Sequence, residues 1–105
     1  MIVRDGDCYR VEGPVTMANV EALIEEGRAA FTDGAVQVDL AGVTEVDSTA
    51  VSLLLQWLRE AAARGRRLTF RNVNHNIHSL AVLYGVADLI PVENPSEPRR
   101  TGAPG

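Results

Sequence analysis

The sequence predicts a single α/β domain in which short strands alternate with three helices. Two segments, 35–40 and 66–71, alternate apolar with polar residues, as half-buried strands do. Three other segments, about 17–31, 48–64 and 75–84, repeat apolar residues at helical spacing. Strands that alternate with helices along a chain predict a central sheet with parallel neighbours.

Length and composition fit one globular domain. The chain has 105 residues, of which 46% are hydrophobic and 23% charged, and a chain of this length can bury a core without disulfides. Cys8 is the only cysteine, so no internal disulfide can form, which agrees with a reducing compartment. We see no signal peptide, and no apolar run approaches the roughly 20 residues of a membrane span. We therefore expect a cytoplasmic protein.

The charge pattern argues against several classes of function. The net charge is −4, whereas nucleic-acid binding usually needs a basic face. All ten basic residues are arginine, so chemistry that depends on lysine, such as a phosphate loop or a Schiff base, is excluded. We interpret the one basic cluster, RGRRLTFR at 64–71, as a solvated helix end, where arginines complement the helix dipole.

The first elements are a hairpin and a helix. The turn sequence DGD separates two β-prone pieces at 2–4 and 8–12. The segment GPVT at 13–16 breaks this pattern, and Thr16 is expected to cap the first helix. Gly34 is expected to end that helix. Its apolar residues recur on one face at helical spacing: Val20, Leu23, Ile24, Gly27 and Phe31.

The later helices are also expected to end at glycines, the second at Gly65 and the third at Gly85. The segment ADLIPV, 87–92, is predicted to form a last short strand. The tail, 93–105, holds three prolines and almost no apolar residue, so we expect it to be disordered. The predicted domain therefore covers 1–92.

The second helix is apolar around most of its circumference. Its predicted core-facing stripe recurs at helical spacing: Val51, Leu54, Leu55, Leu58 and Ala62. A second apolar line lies beside that stripe: Ala50, Leu53 and Trp57. Either the domain covers this helix on both sides, or the second line is a docking patch. Three helices leave little to cover it, and tryptophan is enriched at binding hot spots. We therefore expect the second line to bind a partner.

The stretch TEVDSTAVSLLL, 44–55, places three polar residues at the start of this helix. Asp47 is well placed to cap the helix by accepting a free backbone N–H. Ser48 and Thr49 then occupy the first turn, where the helix dipole favours an added phosphate. We therefore expect Asp47 to be the helix cap, and Ser48 and Thr49 to bind a partner or to be phosphorylated.

No catalytic or metal-binding pattern rises above chance. His75 and His78 are three residues apart on a predicted helix, but no cysteine or matching acidic residue accompanies them. Cys8 follows acidic residues, which raise the pKa of a thiol rather than lower it. The glycine-rich phosphate loop and the GxSxG elbow are both absent. We expect no enzyme activity, no cofactor and no metal.

Two stretches carry a resemblance to a known family. AVQVDLAGVTEVDSTAVSLLLQW, 35–57, resembles the STAS domain family, in which a strand leads to a D-S/T-S/T-G-L motif and an apolar helix. VNHNIHSLAVLYGVADLIP, 73–91, is most similar to the MlaB branch, the small STAS subunit of the Mla phospholipid-transport ABC complex of Gram-negative bacteria. The resemblance covers roughly 8–91. It implies a four- to five-stranded mixed sheet with about three helices packed mainly on one side.

The resemblance also implies a function. An MlaB-like protein is a non-enzymatic subunit that binds the transporter's ATPase in a complex that maintains outer-membrane lipid asymmetry, and it reaches the inner membrane only through that partner. The alternative is an anti-sigma-factor antagonist, controlled by phosphorylation in a partner-switching system. By position in the motif, the phosphorylated hydroxyl of the antagonists is Thr49, and the important hydroxyl of the MlaB branch is Ser48. Ala50 stands where the family usually has glycine.

Overall fold

The computed structural model describes residues 1–6 and 8–92; the predicted disordered tail, 93–105, lies outside the described residues. The predicted α/β architecture is confirmed. The strands and helices follow in chain order: β1 (Ile2–Asp5), β2 (Cys8–Val11), β3 (Gly13–Val15), α1 (Val20–Ala30), β4 (Ala35–Asp39), β5 (Val43–Val46), α2 (Thr49–Ala63), β6 (Arg67–Arg71) and α3 (His75–Leu83).

The main sheet has four strands in the order β1-β2-β4-β6. β1 is antiparallel to β2, and the other neighbours are parallel. The predicted hairpin is confirmed, since Asp5 pairs with Cys8 and Gly6 between them has a φ of 64°, which suits glycine. A second, two-stranded parallel sheet joins β3 to β5. The sequence pattern did not indicate it.

The predicted last strand is wrong. Ala87–Leu89 forms a short 3₁₀ helix, and only Val92 pairs with β6, through a single parallel bridge to Phe70. The Phe70 N–H donates to the carbonyl of Pro91 at 2.9 Å. Pro91 has no N–H of its own, and a proline at this point stops a ladder of hydrogen bonds from extending.

The helix boundaries correct two predictions and confirm two. Helix α1 ends at Ala30 with Phe31 as its C-cap, before Gly34 is reached, and Gly34 has no positive φ. Thr16 does not cap α1; its carbonyl accepts the N–H groups of Asn19 and Val20, which close a turn before the helix begins. The ends of α2 and α3 are as predicted. Gly65 and Gly85 follow them with φ angles of 69° and 72°, in the left-handed region that favours glycine.

One core lies between the helices and one face of the main sheet. Buried residues of all three helices form a cluster with alternate residues of β2, β4 and β6. Val38 and Phe70 lie at its centre and are completely buried. The side chains between the core positions, such as Cys8, Gln37 and Thr69, are half-buried and lie on the opposite face. The helices therefore pack on one side of the sheet.

The expected exposed line on α2 is buried. Ala50, Leu53 and Trp57 are 1%, 1% and 2% exposed, so the prediction that they form a docking surface is wrong. Helix α1 covers this side of α2. The ring of Phe31 meets the Trp57 ring edge to face, with 5.0 Å between centroids. Gly27 has no side chain and lets α1 approach the indole closely.

The predicted core stripe of α2 is correct only in part. Val51 and Leu54 are buried, whereas Leu55 and Leu58 are half-buried and Ala62 is exposed. The helix is therefore rotated about its axis relative to the expectation, so that the second apolar line points into the core. The consequence for function is that its exposed surface is made of other residues.

Candidate functional site

From the carboxyl end of the parallel strand β4, the chain runs through β5 to the start of α2. The start of α2 therefore lies beyond the carboxyl end of β4. In open α/β sheets this edge is where binding sites usually form. Ser48 is exposed at the start of the helix, and Met17, in the turn before α1, is 75% exposed. Asp47 brings these two segments together.

The carboxylate of Asp47 holds both segments. One oxygen, Oδ1, accepts the backbone N–H of Thr49 at 2.9 Å and also the Thr49 hydroxyl. The other, Oδ2, accepts the backbone N–H of Met17 at 2.9 Å. We call Met17, Asp47 and Thr49 the Asp47 clasp. It satisfies a free N–H at the start of α2 and ties the turn before α1 to that helix.

Asp47 therefore acts as the cap of α2. Ser48, the residue directly before the helix, already has helical backbone angles (φ −62°, ψ −20°), and its side chain makes no capping hydrogen bond. The hydrogen bond from the Thr49 hydroxyl, followed by that from the Met17 N–H, holds the pKa of Asp47 below its usual range. The carboxylate is thus charged at neutral pH, and the clasp is intact there.

We predict that Asp47→Ala lowers the melting temperature by several degrees at neutral pH. A carboxylate with a lowered pKa in the folded state adds stability above its unfolded pKa, about 3.9, and that stability is lost as pH falls through the folded value. The gap between wild type and variant should therefore be constant above about pH 5 and shrink below about pH 4. Thermal melts across this range measure it, with the exposed Asp88→Ala as control. A gap that stays unchanged in strong acid would contradict a charged clasp.

The two hydroxyls at this site differ in what surrounds them. Ser48 is exposed, whereas Thr49 is half-buried and donates its hydroxyl to Asp47. A phosphate on Ser48 would add about −1.5 to −2 charges near the favourable end of the helix dipole. The same group on Thr49 would remove a donor from the Asp47 clasp and place its charge beside a carboxylate.

The exposed surface of α2 continues from Ser48 along the helix. We call Ser48, Ser52, Leu55 and Arg59 the outer face of α2; three of them are exposed and Leu55 is half-buried. The apolar pattern of the sequence did not indicate this face, because Leu55 fits the predicted core stripe of α2. A signal was present, since the polar residues Ser48, Ser52 and Arg59 recur at i, i+4 and i+11 and mark one side of the helix.

The other candidate residues either lie apart from this site or are not grouped with side chains that could complete a catalytic or metal site. His75 and His78 are exposed on α3, where one ring nitrogen of His75 lies 3.3 Å from the Ser79 hydroxyl oxygen. Burial is the main cause that raises the pKa of the Cys8 thiol. Among residues 1–6 and 8–92, no three His, Cys, Asp or Glu side chains are grouped so that they could hold a metal ion.

Comparisons with known proteins bear on this site. A family model described as "Mlab, STAS domain" matches residues 4–91. The fold is similar to the anti-sigma factor antagonist SpoIIAA in its unphosphorylated form, with a TM-score of 0.69 and 17% identity over 92% of this chain and 88% of that one. It is also similar to the SulP transporter STAS domain from Vibrio cholerae, with a TM-score of 0.58 and 20% identity over 82% and 70%. A search of curated protein sequences finds no match. At these identities the structural matches show a shared fold.

Proposed function

Because the chain belongs to the MlaB-type STAS domain family, we propose that it is a non-enzymatic subunit that binds the ATPase of an Mla-type phospholipid-transport ABC transporter. The family match confirms the resemblance inferred from the sequence. One observation carries the proposal: the match spans every helix and nearly the whole described chain, including the start of α2. The partner would hold the chain at the membrane. Within the described residues, no helix has the length and apolar character to cross a bilayer.

We place the docking surface on the outer face of α2, together with the exposed Met17. Serines at positions 48 and 52 are small, so a partner can approach the helix closely, and Leu55 supplies an apolar contact. Arg59 is the one charged residue of this face. Ala50 does not hinder the approach, although the family usually has glycine there, because its side chain lies in the core and is only 1% exposed.

We predict that Ser52→Arg reduces recovery of the ATPase at least about tenfold, because a long charged side chain in the middle of a close interface leaves a desolvated charge unpaired. The measurement is co-purification from the native host with a tagged chain, followed by mass spectrometry. The control is Ala63→Arg, which makes an exposed change on the same helix about 16 Å further along its axis. Equal recovery with both variants would contradict the proposed surface.

A second candidate function is an anti-sigma-factor antagonist, the role named for the structurally similar SpoIIAA. The observation that favours it is the exposed Ser48 hydroxyl beside the Asp47 clasp, which a kinase can reach without unfolding the helix. The same co-purification separates the two functions. An anti-sigma factor with kinase activity in place of a transport ATPase, together with ATP-dependent phosphorylation that Ser48→Ala or Thr49→Ala removes, would favour the antagonist.

A further inference from the structure

The turn before α1 holds Met17 in an exposed position on an ordered backbone. Met17 is 75% exposed, more than any other large apolar side chain in the described part of the chain. Every backbone N–H of residues 16–20 nevertheless has an acceptor. The N–H of Thr16 donates to the side-chain oxygen of Asn19 at 2.8 Å. That of Met17 donates to Asp47 at 2.9 Å, and the next three donate to oxygens of Thr16. The Met17 side chain therefore extends into solvent from a turn that is already held in place.

A methionine presented in this way suits an apolar pocket on another protein. Its unbranched side chain adapts to irregular apolar surfaces, and its sulfur is polarisable. Binding costs less when the segment that makes the contact is ordered beforehand. The turn also lies beside the proposed docking surface, because Asp47 binds the Met17 amide and directly precedes Ser48. Met17 therefore extends the outer face of α2 by one apolar contact.

The two segments that meet at this turn are acidic. Residues 11–27 and 40–58 contain no arginine or lysine and six carboxylates: Glu12, Glu21, Glu25, Glu26, Glu45 and Asp47. The arginines that flank the first segment, Arg10 and Arg28, are each paired with two carboxylates. Glu21 and Glu45 are exposed and form no ion pair within the described residues. Glu21 follows Met17 in the first turn of α1, and Glu45 lies just before Asp47. The surface beside Met17 therefore carries unpaired negative charge.

We propose that Met17 inserts into an apolar pocket of the ATPase, and that arginine or lysine side chains at the rim of this pocket meet Glu21 and Glu45. Complementary charges of this kind set the orientation of two proteins and speed their association. The inference rests on the proposed function for the identity of the partner. It adds the chemistry of the partner's surface and the residue of this chain that contributes most to the affinity.

The test measures the affinity of the purified chain for the ATPase that co-purifies with it, by biolayer interferometry in 50 and 500 mM NaCl. Met17→Ala should weaken binding at least about tenfold at both salt concentrations, because it removes the apolar anchor. Leu83→Ala is the matched control, since Leu83 is 73% exposed at the end of α3 and should not contact the partner. Thermal melts check that both variants are folded. Equal affinity of the two variants overturns the proposal.

The salt dependence tests the two carboxylates. The double variant Glu21→Gln/Glu45→Gln should bind about fivefold more weakly than wild type in 50 mM NaCl and within about twofold of it in 500 mM NaCl, where salt screens the charges. Asp88→Asn is the control, because it removes an exposed carboxylate from the 3₁₀ helix at 87–89 and should change neither affinity. Wild-type affinity that rises with salt, or a double variant that binds as well as Asp88→Asn in 50 mM NaCl, overturns the proposal.

The same experiment separates this inference from the proposed function. If the wild-type chain binds the ATPase and Met17→Ala binds it equally well, the inference fails and the proposed function stands. If the wild-type chain recovers an anti-sigma factor or no partner, both fail. A wild-type chain that sediments as a dimer and becomes monomeric with Met17→Ala would assign the surface to a second copy of the chain, which also overturns the inference.

Discussion

Replacing Leu53 with aspartate is expected to unfold the domain. Leu53 is 1% exposed and belongs to the core beneath α1. Losing a buried leucine side chain costs about 2–5 kcal/mol, and a buried carboxylate without a partner costs several kcal/mol more. Together these terms match the whole stability of a typical domain, about 5–15 kcal/mol. Circular dichroism and size-exclusion chromatography at 25 °C measure the loss.

Leu55→Asp is the matched control, since it makes the same change two residues further along the same helix. Leu55 is half-buried on the outer face of α2, so its carboxylate stays in contact with water and the variant should remain folded with a reduced melting temperature. A folded Leu53→Asp with native melting would show that α2 presents a different side to the core. The comparison also has a practical use, because Leu53→Asp cannot serve as a test of partner binding whereas Leu55→Asp can.

Gly27→Ala is expected to destabilise the protein, although alanine in a helix is more favourable than glycine by about 1 kcal/mol. A Cβ atom at this position would lie 2.8 Å from Cε2 of Trp57 and 2.9 Å from Cε2 of Phe31. Overpacking of this kind typically costs about 1–3 kcal/mol. The neighbouring ring of Phe31 limits how far the indole can move aside. Chemical denaturation of the two proteins measures the net effect.

A double-mutant cycle tests the cause. Trp57→Phe removes the pyrrole part of the ring, and with it a buried N–H that has no acceptor among the described residues. Gly27→Ala should therefore cost at least about 1 kcal/mol less in the Trp57→Phe background than in wild type. The control is Ala22→Gly at an exposed position of α1, whose cost of about 1 kcal/mol reflects helix propensity and should be the same in both backgrounds. Additive effects of Gly27→Ala and Trp57→Phe would rule out the close contact.

The elements that the sequence predicts well are those in which a local pattern determines the outcome. The alternation of β4 and β6, the positive φ angles at Gly65 and Gly85, and the position of Asp47 at the start of α2 are properties of short segments. β3 and β5 were missed because strands of three and four residues carry too little alternation to stand out, and β3 also contains Pro14.

The side of α2 that faces the core could not be settled from α2 itself. Two apolar lines compete on this helix, and either can form a core stripe. The choice is made by another helix, since Gly27 lets α1 come close enough to cover Ala50, Leu53 and Trp57. The side of α2 that is buried therefore depends on a single glycine, 30 residues before Trp57 in the sequence. Of the candidate site, the cap at Asp47 is confirmed, whereas a role for Ser48 and Thr49 in partner binding or phosphorylation stays a prediction. The exposed residues beside them follow from the packing of α2.

The Asp47 clasp gives the backbone of Met17 a property that its side chain does not suggest. The side chain is 75% exposed, yet the amide N–H is held by a carboxylate 30 residues later. Exposed amides usually exchange their hydrogen with solvent quickly, whereas this amide exchanges only when the bond to Asp47 opens. The exchange rate of the Met17 amide, in the turn before α1, therefore reports how often the hydrogen bond to Asp47 at the start of α2 opens.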